Sequence, residues 1–292
     1  MSKRQKGFTL VELLVVIAII ALLMSILMPA LARVRAQAKN VLCQSNLKQW
    51  GVCFGMYADD WEGSAPRGWW PGGTATPGPF HTDYWMEALR SCYGNSHELR
   101  CCPTATKAGT EIGQGPYGGH GTFIGWGVFG GDDCGEPSTT WGVVTACDYG
   151  SYGMNAWICN PPKDAPRFES HDVAKNNWRT FTIKGAARVP LLGDEQWIDC
   201  WPDAKDEVPL WDGEPWGPYA DYSHMVRICM NRHSGFVNWV FMDYSVGSVG
   251  LKELWFLRWH RFIDFEQAPT KEEFNSKGDG WMKPFRDYEW LR

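Results

Sequence analysis

MSKRQKGFTLVELLVVIAIIALLMSILMPALA, residues 1–32, decides how the rest of the chain is read. From Phe8 to Ala32 the only charge is Glu12. A helix over that run, at about 1.5 Å per residue, reaches about 37 Å and exceeds the roughly 30 Å hydrocarbon core of a bilayer. Lys3, Arg4 and Lys6 precede it, and the positive-inside rule then keeps residues 1–7 cytoplasmic and sends everything after Arg33 outward. Ala30-Leu31-Ala32 satisfies the cleavage rule of an ordinary signal peptide, but the apolar run is longer than the usual 7–15 residues and holds a carboxylate. A plain single-span anchor leaves that carboxylate unexplained, since a lone charge in hydrocarbon costs a few kcal/mol.

Gly7-Phe8-Thr9-Leu10-Val11-Glu12 accounts for it. With the basic leader before it and Pro29 after it, this stretch resembles the N-terminus of type IV pilins and type II secretion pseudopilins. The resemblance implies cleavage between Gly7 and Phe8 by a prepilin peptidase, methylation of the new amine of Phe8, and Glu12 as the fifth residue of the mature chain. In such proteins that glutamate pairs with the terminal amine of a neighbouring subunit, so Glu12 is expected to set axial register in a helical filament. Pro29 removes a backbone donor and is expected to kink or locally melt the helix near the membrane exit. The partners implied are the peptidase, other copies or other pseudopilins, and an inner-membrane assembly platform. The chain would be single-pass in the inner membrane, with a periplasmic head and a periplasmic or extracellular filament.

The helix continues beyond the membrane. Leu47, Trp50, Phe54 and Tyr57 recur at helical spacing as one apolar stripe, while Arg33, Arg35, Lys39 and Lys48 point elsewhere. Residues 8–58 are therefore expected to form one long helix, membrane-spanning over 8–32 and a stem over 33–58. Gly51 and Gly55 weaken its end, and Asp59-Asp60 with Gly63 and Pro66 stop it. Residues 59–292 are the head. Phe236–Phe241 followed by Asp243–Val249 reads as a hairpin; Thr180–Ile183 and Val189–Leu192 read as strands, and Leu251–Phe262 as a helix. Long loops are expected at 62–82, 103–125 and 199–222. The expected fold is α+β and pilin-like, the long helix packed on a head with an antiparallel sheet.

Shorter islands extend the resemblance. Cys43-Gln44-Ser45-Asn46-Leu47-Lys48-Gln49 with Tyr57, Asp59, Gly63 and Pro66 resembles a pseudopilin-like subgroup that ends in an H-x9-DG motif. Cys102-Pro103 and Ser151-Tyr152-Gly153-Met154-Asn155 fit it too, and the closing motif is His233 with Asp243. Tyr244 stands where the subgroup has glycine, which puts a left-handed turn there in doubt.

The 292 residues are 44% hydrophobic and 21% charged, which excludes a disordered chain. The net charge is −5, and losing the leader makes it more negative, so a nucleic-acid partner is not expected. Ten cysteines in an exported chain suggest several disulfides. Cys101-Cys102 is no CxxC, and Cys43 and Cys53 lie about 15 Å apart on a helix, so neither pair bridges within itself.

No hydrolase elbow, HExxH or phosphate loop accompanies His233 and Asp243, so both are expected to be structural, and the chain no enzyme. Asp199, Asp203, Asp206, Glu207, Asp212 and Glu214 carry oxygen ligands of the calcium type, as some major pseudopilins do, but without EF-hand spacing they are expected to form a solvated loop. No other cofactor is implied. Most of the 18 tryptophans are expected in the core. Trp69-Trp70, Trp211 and Trp216, if exposed on loops, allow an alternative, a pilin-anchored adhesin that stacks on glycans.

Overall fold

The computed structural model describes residues 10–68, 85–94, 96–108, 121–129, 148–165, 172–215 and 223–289. Its first element, α1 (Leu10–Asp60), is one helix of 51 residues that contains Pro29 without a break. The helix is thus not melted at the proline. Residues 10–39 are exposed throughout, and burial starts with Cys43. From there Cys43, Leu47, Trp50, Phe54 and Ala58 are buried at spacings of three and four, one face of a 3.6-residue helix. Tyr57 ends the stripe half-buried. The stem therefore meets the head from Asn40 onward; Arg33, Arg35 and Lys39 lie on the exposed length before it.

Three one-turn helices, α2 (Trp85–Ala88), α3 (Arg90–Tyr93) and α4 (His97–Arg100), flank that stripe. Trp50 is the centre of the contact: its indole meets Trp85 edge-on at 4.9 Å and Tyr93 at 4.8 Å, and its Nε1 donates to the Leu99 carbonyl at 2.7 Å. Eight strands follow: β1 (Lys107–Ala108), β2 (Ile124–Phe129), β3 (Asp148–Gly150), β4 (Tyr152–Asn155), β5 (Pro190–Asp194), β6 (Asp199–Cys200), β7 (Phe236–Phe241) and β8 (Val246–Gly250). The larger sheet has the order β6-β4-β5-β7-β8 and is antiparallel except for the short parallel edge β6. A smaller sheet runs β1-β2-β3, with β1 parallel to β2. The stem lies across β7 and β8 of the larger sheet, giving the expected α+β arrangement.

The hairpin β7–β8 falls where the alternation of Val237, Trp239 and Phe241 places it. Its turn corrects the expectation at Tyr244, which adopts φ +63° despite its side chain. Asp243 Oδ1 accepts from the Ser245 amide at 3.0 Å and hydroxyl at 2.6 Å, and Lys48 Nζ donates to the Tyr244 carbonyl at 2.8 Å. A left-handed non-glycine residue costs on the order of 1 kcal/mol, which these bonds offset. Gly51 and Gly55 are likewise contacts and not weak points, because the Tyr244 side chain lies over both. A Cβ on Gly51 would sit 3.2 Å from Val240 Cγ2.

Two further expectations are corrected. Thr180–Ile183 makes a single bridge, Ser64 to Thr180, because Arg179 at φ +69° and Gly185 at φ +79° bend the chain on either side. Leu251–Phe256 is a 3-10 helix, and the chain leaves helical geometry at Leu257. There Arg258 N bonds the Arg188 carbonyl and Trp259 Nε1 bonds the Leu254 carbonyl. Those contacts seat Trp255 and Trp259 in the core, which outweighs the remaining turns of helix. Trp85, Trp126, Trp157, Trp201 and Trp239 are buried with them, and the indole nitrogens of Trp85, Trp126 and Trp157 reach backbone carbonyls.

Candidate functional site

Two regions carry chemistry. The first is the free half of α1. Between Leu10 and Leu31 every large apolar side chain is 45–79% exposed, a contiguous apolar cylinder that water does not tolerate. By length and composition this helix is able to cross a membrane. Glu12 lies in its first turn, where a negative charge also suits the helix dipole. Gly7 and Phe8 lie outside the described residues.

The second region is a buried cluster where the stem meets the sheet. Cys43 comes from α1, Cys102 from the segment after α4, Asp194 from the end of β5 and His233 from the loop before β7. One donor atom of each lies within 4.8 Å of all the others. His233 Nε2 is 3.1 Å from Asp194 Oδ2 and 3.3 Å from Cys102 Sγ, and Cys43 Sγ is 3.8 Å from both Asp194 oxygens. A second layer holds these groups. Arg232 Nη1 donates to Asp194 Oδ1 at 3.1 Å and the Asn238 amide to Oδ2 at 2.8 Å. The Tyr152 hydroxyl donates to Cys43 Sγ at 3.2 Å, and Thr104 Oγ1 lies 2.9 Å from Cys102 Sγ.

Burial opposes every charge here, and the neighbours decide the outcome. Burial raises Asp194, but His233, Arg232 and the Asn238 amide bring its carboxyl down to about 2. Burial lowers His233, but Asp194 and Cys102 hold the imidazole up at about 9. Burial, the Cys102 thiol and the Asp194 charge together push the Cys43 thiol well up. Cys102 moves the other way, because its contacts with Cys43, His233 and Arg232 overcome its burial.

His233 and Asp243 are not partners. They sit at opposite ends of β7, a six-residue strand about 20 Å long, and Asp243 only closes the hairpin turn. What no single motif could show is that the separated islands around Cys43, Cys102, Tyr152 and His233 meet at one point, with Asp194 supplied just past the end expected for the strand at Val189–Leu192. The spacing between them in sequence carried no hint of this. The eight described cysteines, 43, 53, 92, 101, 102, 159, 200 and 229, are free thiols, against the expectation of disulfides among them.

The acidic stretch is a solvated loop only in part, with Glu207 and Asp212 exposed. Asp199, Asp203 and Asp206 are buried: Asp206 Oδ2 accepts from the Asp203 and His224 amides, and Asp199 lies 3.7 Å from Arg227. Asp212 Oδ1 accepts from Thr122 and Asn231, and Glu214 from the Leu210 amide. These acids bond separate backbone amides and side chains, Glu207 pairing with Lys277, and do not converge on one centre as a calcium site needs. Trp211 is half exposed; Trp69, Trp70 and Trp216 lie outside the described residues.

Residues 2–28 match the family model described as a prokaryotic N-terminal methylation motif. No curated protein and no solved structure matches the chain.

Proposed function

From an N-terminus of the type IV pilin-like kind, which the methylation motif gives this chain, we propose that the protein is a non-enzymatic subunit of a type II secretion or related pilus-like filament. The observation that carries the reading is the join of that motif to an exposed apolar half-helix continuous with a stem locked into the head. In the membrane the exposed half is solvated by lipid; in a filament the same side chains are covered by the helices of neighbouring copies. Prepilin peptidase cleaves between Gly7 and Phe8, and the amine of Phe8 is methylated. Glu12 then meets the terminal amine of an adjacent copy, and because leaving either charge buried without the other is penalised, the pair fixes the axial step. The platform in the inner membrane extracts the subunit with its head on the periplasmic side. Burial of the head's Cys–His–Asp cluster supports the non-enzymatic reading, because Cys43 and Cys102 have no surface for a substrate to touch.

Assembly tests this directly. Glu12→Ala is expected to leave the protein in the membrane at normal abundance and to reduce filament incorporation at least tenfold, read by shearing and sedimentation. Incorporation at the level of the unaltered chain would remove Glu12 from the account.

A further inference from the structure

The convergence of Cys43, Cys102, Asp194 and His233 has a chemistry of its own, which does not depend on filament assembly. We propose that these four residues bind one zinc ion that ties the stem helix to the head. Two sulfurs, an imidazole nitrogen and a carboxylate oxygen are a tetrahedral zinc donor set. Bonds of about 2.0–2.3 Å from such an ion place neighbouring donors roughly 3.3–3.8 Å apart. Here the separations are 3.1 Å (N to O), 3.3 Å (N to S) and 3.8 Å (S to O), with all donors within 4.8 Å of one another.

Charge argues the same way. Two thiolates and Asp194 carry three negative charges in a site without solvent, where uncompensated charge is costly. A divalent ion and the guanidinium of Arg232 cancel them. Cys43, Cys102 and the His233 imidazolium each give up to solvent the proton they hold as the metal binds. The bonds around the cluster are those an outer shell provides: Arg232 and the Asn238 amide fix the carboxylate, Tyr152 and Thr104 fix the sulfurs. Four protein ligands leave no open coordination position, so the site is structural. It joins four chain segments, α1 at Cys43, the segment after α4, the end of β5 and the loop before β7, and so clamps the stem where its burial begins.

The test uses the full chain purified in detergent with a tag that holds no metal. Elemental analysis is expected to find about one zinc per chain. His233→Ala and Cys102→Ser should lose it, while Cys92→Ser, a half-buried cysteine outside the cluster, should keep it. A second readout alters no residue: the chelator-treated chain titrated with cobalt should develop the visible absorption of tetrahedral, thiolate-bound cobalt at one equivalent. A zinc-free chain lighter by two hydrogens, with Cys43 and Cys102 in one cross-linked peptide, would replace the metal by a disulfide. Cobalt bound without visible bands would equally overturn the proposal.

Discussion

At the residue scale the head stores unfavourable burial in a few carboxyls, and Asp199 makes that measurable. Burial raises its pKa to about 6 against the pull of Arg227, and the neighbouring Glu195 is pushed well up for the same first reason. The unfolded carboxyl ionises near its ordinary value, so between that pH and 6 the unfolded chain has released a proton that the folded chain retains. Stability therefore falls as pH rises through this window, by about 3 kcal/mol for a shift of about two units. Asp199→Asn should flatten the pH dependence and raise the melting temperature above pH 6. Thermal melts at pH 4.5 and 7.5 check both, and a variant less stable than the parent at pH 7.5 would mean that the contact with Arg227 outweighs the burial. Individual residues of this kind were hidden in the sequence: nothing in the acidic run distinguishes buried Asp199 and Asp206 from exposed Glu207, because solvation is decided by strands far away in sequence. His233 stood out in the sequence by its spacing from Asp243, but its partner did not, since Asp194 lies 39 positions before it at the end of β5.

Among the elements, the stem stripe and the hairpin were legible because both follow a period, 3.6 for Leu47-Trp50-Phe54 and 2 for Val237-Trp239. Where an element is shaped by a tryptophan reaching a distant carbonyl, as Trp255 Nε1 reaches that of Asp206 within 251–262, periodicity suggests helix and tertiary contact overrides it. The stripe predicts its own energetics. Trp50→Ala should cost about 3–5 kcal/mol, as large aromatic truncations do, whereas Val52→Ala, on the exposed face, should fall within about 0.5 kcal/mol of the parent. Denaturant unfolding in detergent, followed by tryptophan emission, separates them; equal losses would mean that the stem is not held by this face. Gly51 is expected to be the closest point of approach. Gly51→Val should overpack against Val240 and Tyr244 and cost about 1–3 kcal/mol, while the same change at Arg35, outside the contact, should not.

At the scale of the whole molecule, one continuous helix serves two solvents, on the proposed reading lipid or neighbouring helices over residues 10–32, and a protein core from Cys43 onward. The apolar run over 8–32 and the stripe from Leu47 to Tyr57 made the two parts legible, but burial begins only at Cys43, ten residues beyond the 32/33 border read from the sequence. The head's topology was not readable from them: its sheet mixes parallel and antiparallel neighbours, and its loops carry few turn signals that fix strand order. The proposed clamp at Cys43 falls at the boundary between the two solvents, so its loss should loosen the head from the stem without disturbing membrane insertion. Everything proposed for the first half of the helix rests on processing of its leader. Intact mass and N-terminal sequencing of the protein recovered from cells test that most directly. A chain that starts at N-methyl-Phe8 is the predicted result. A chain that starts at Arg33 would mean ordinary export of a soluble head and would contradict the filament account.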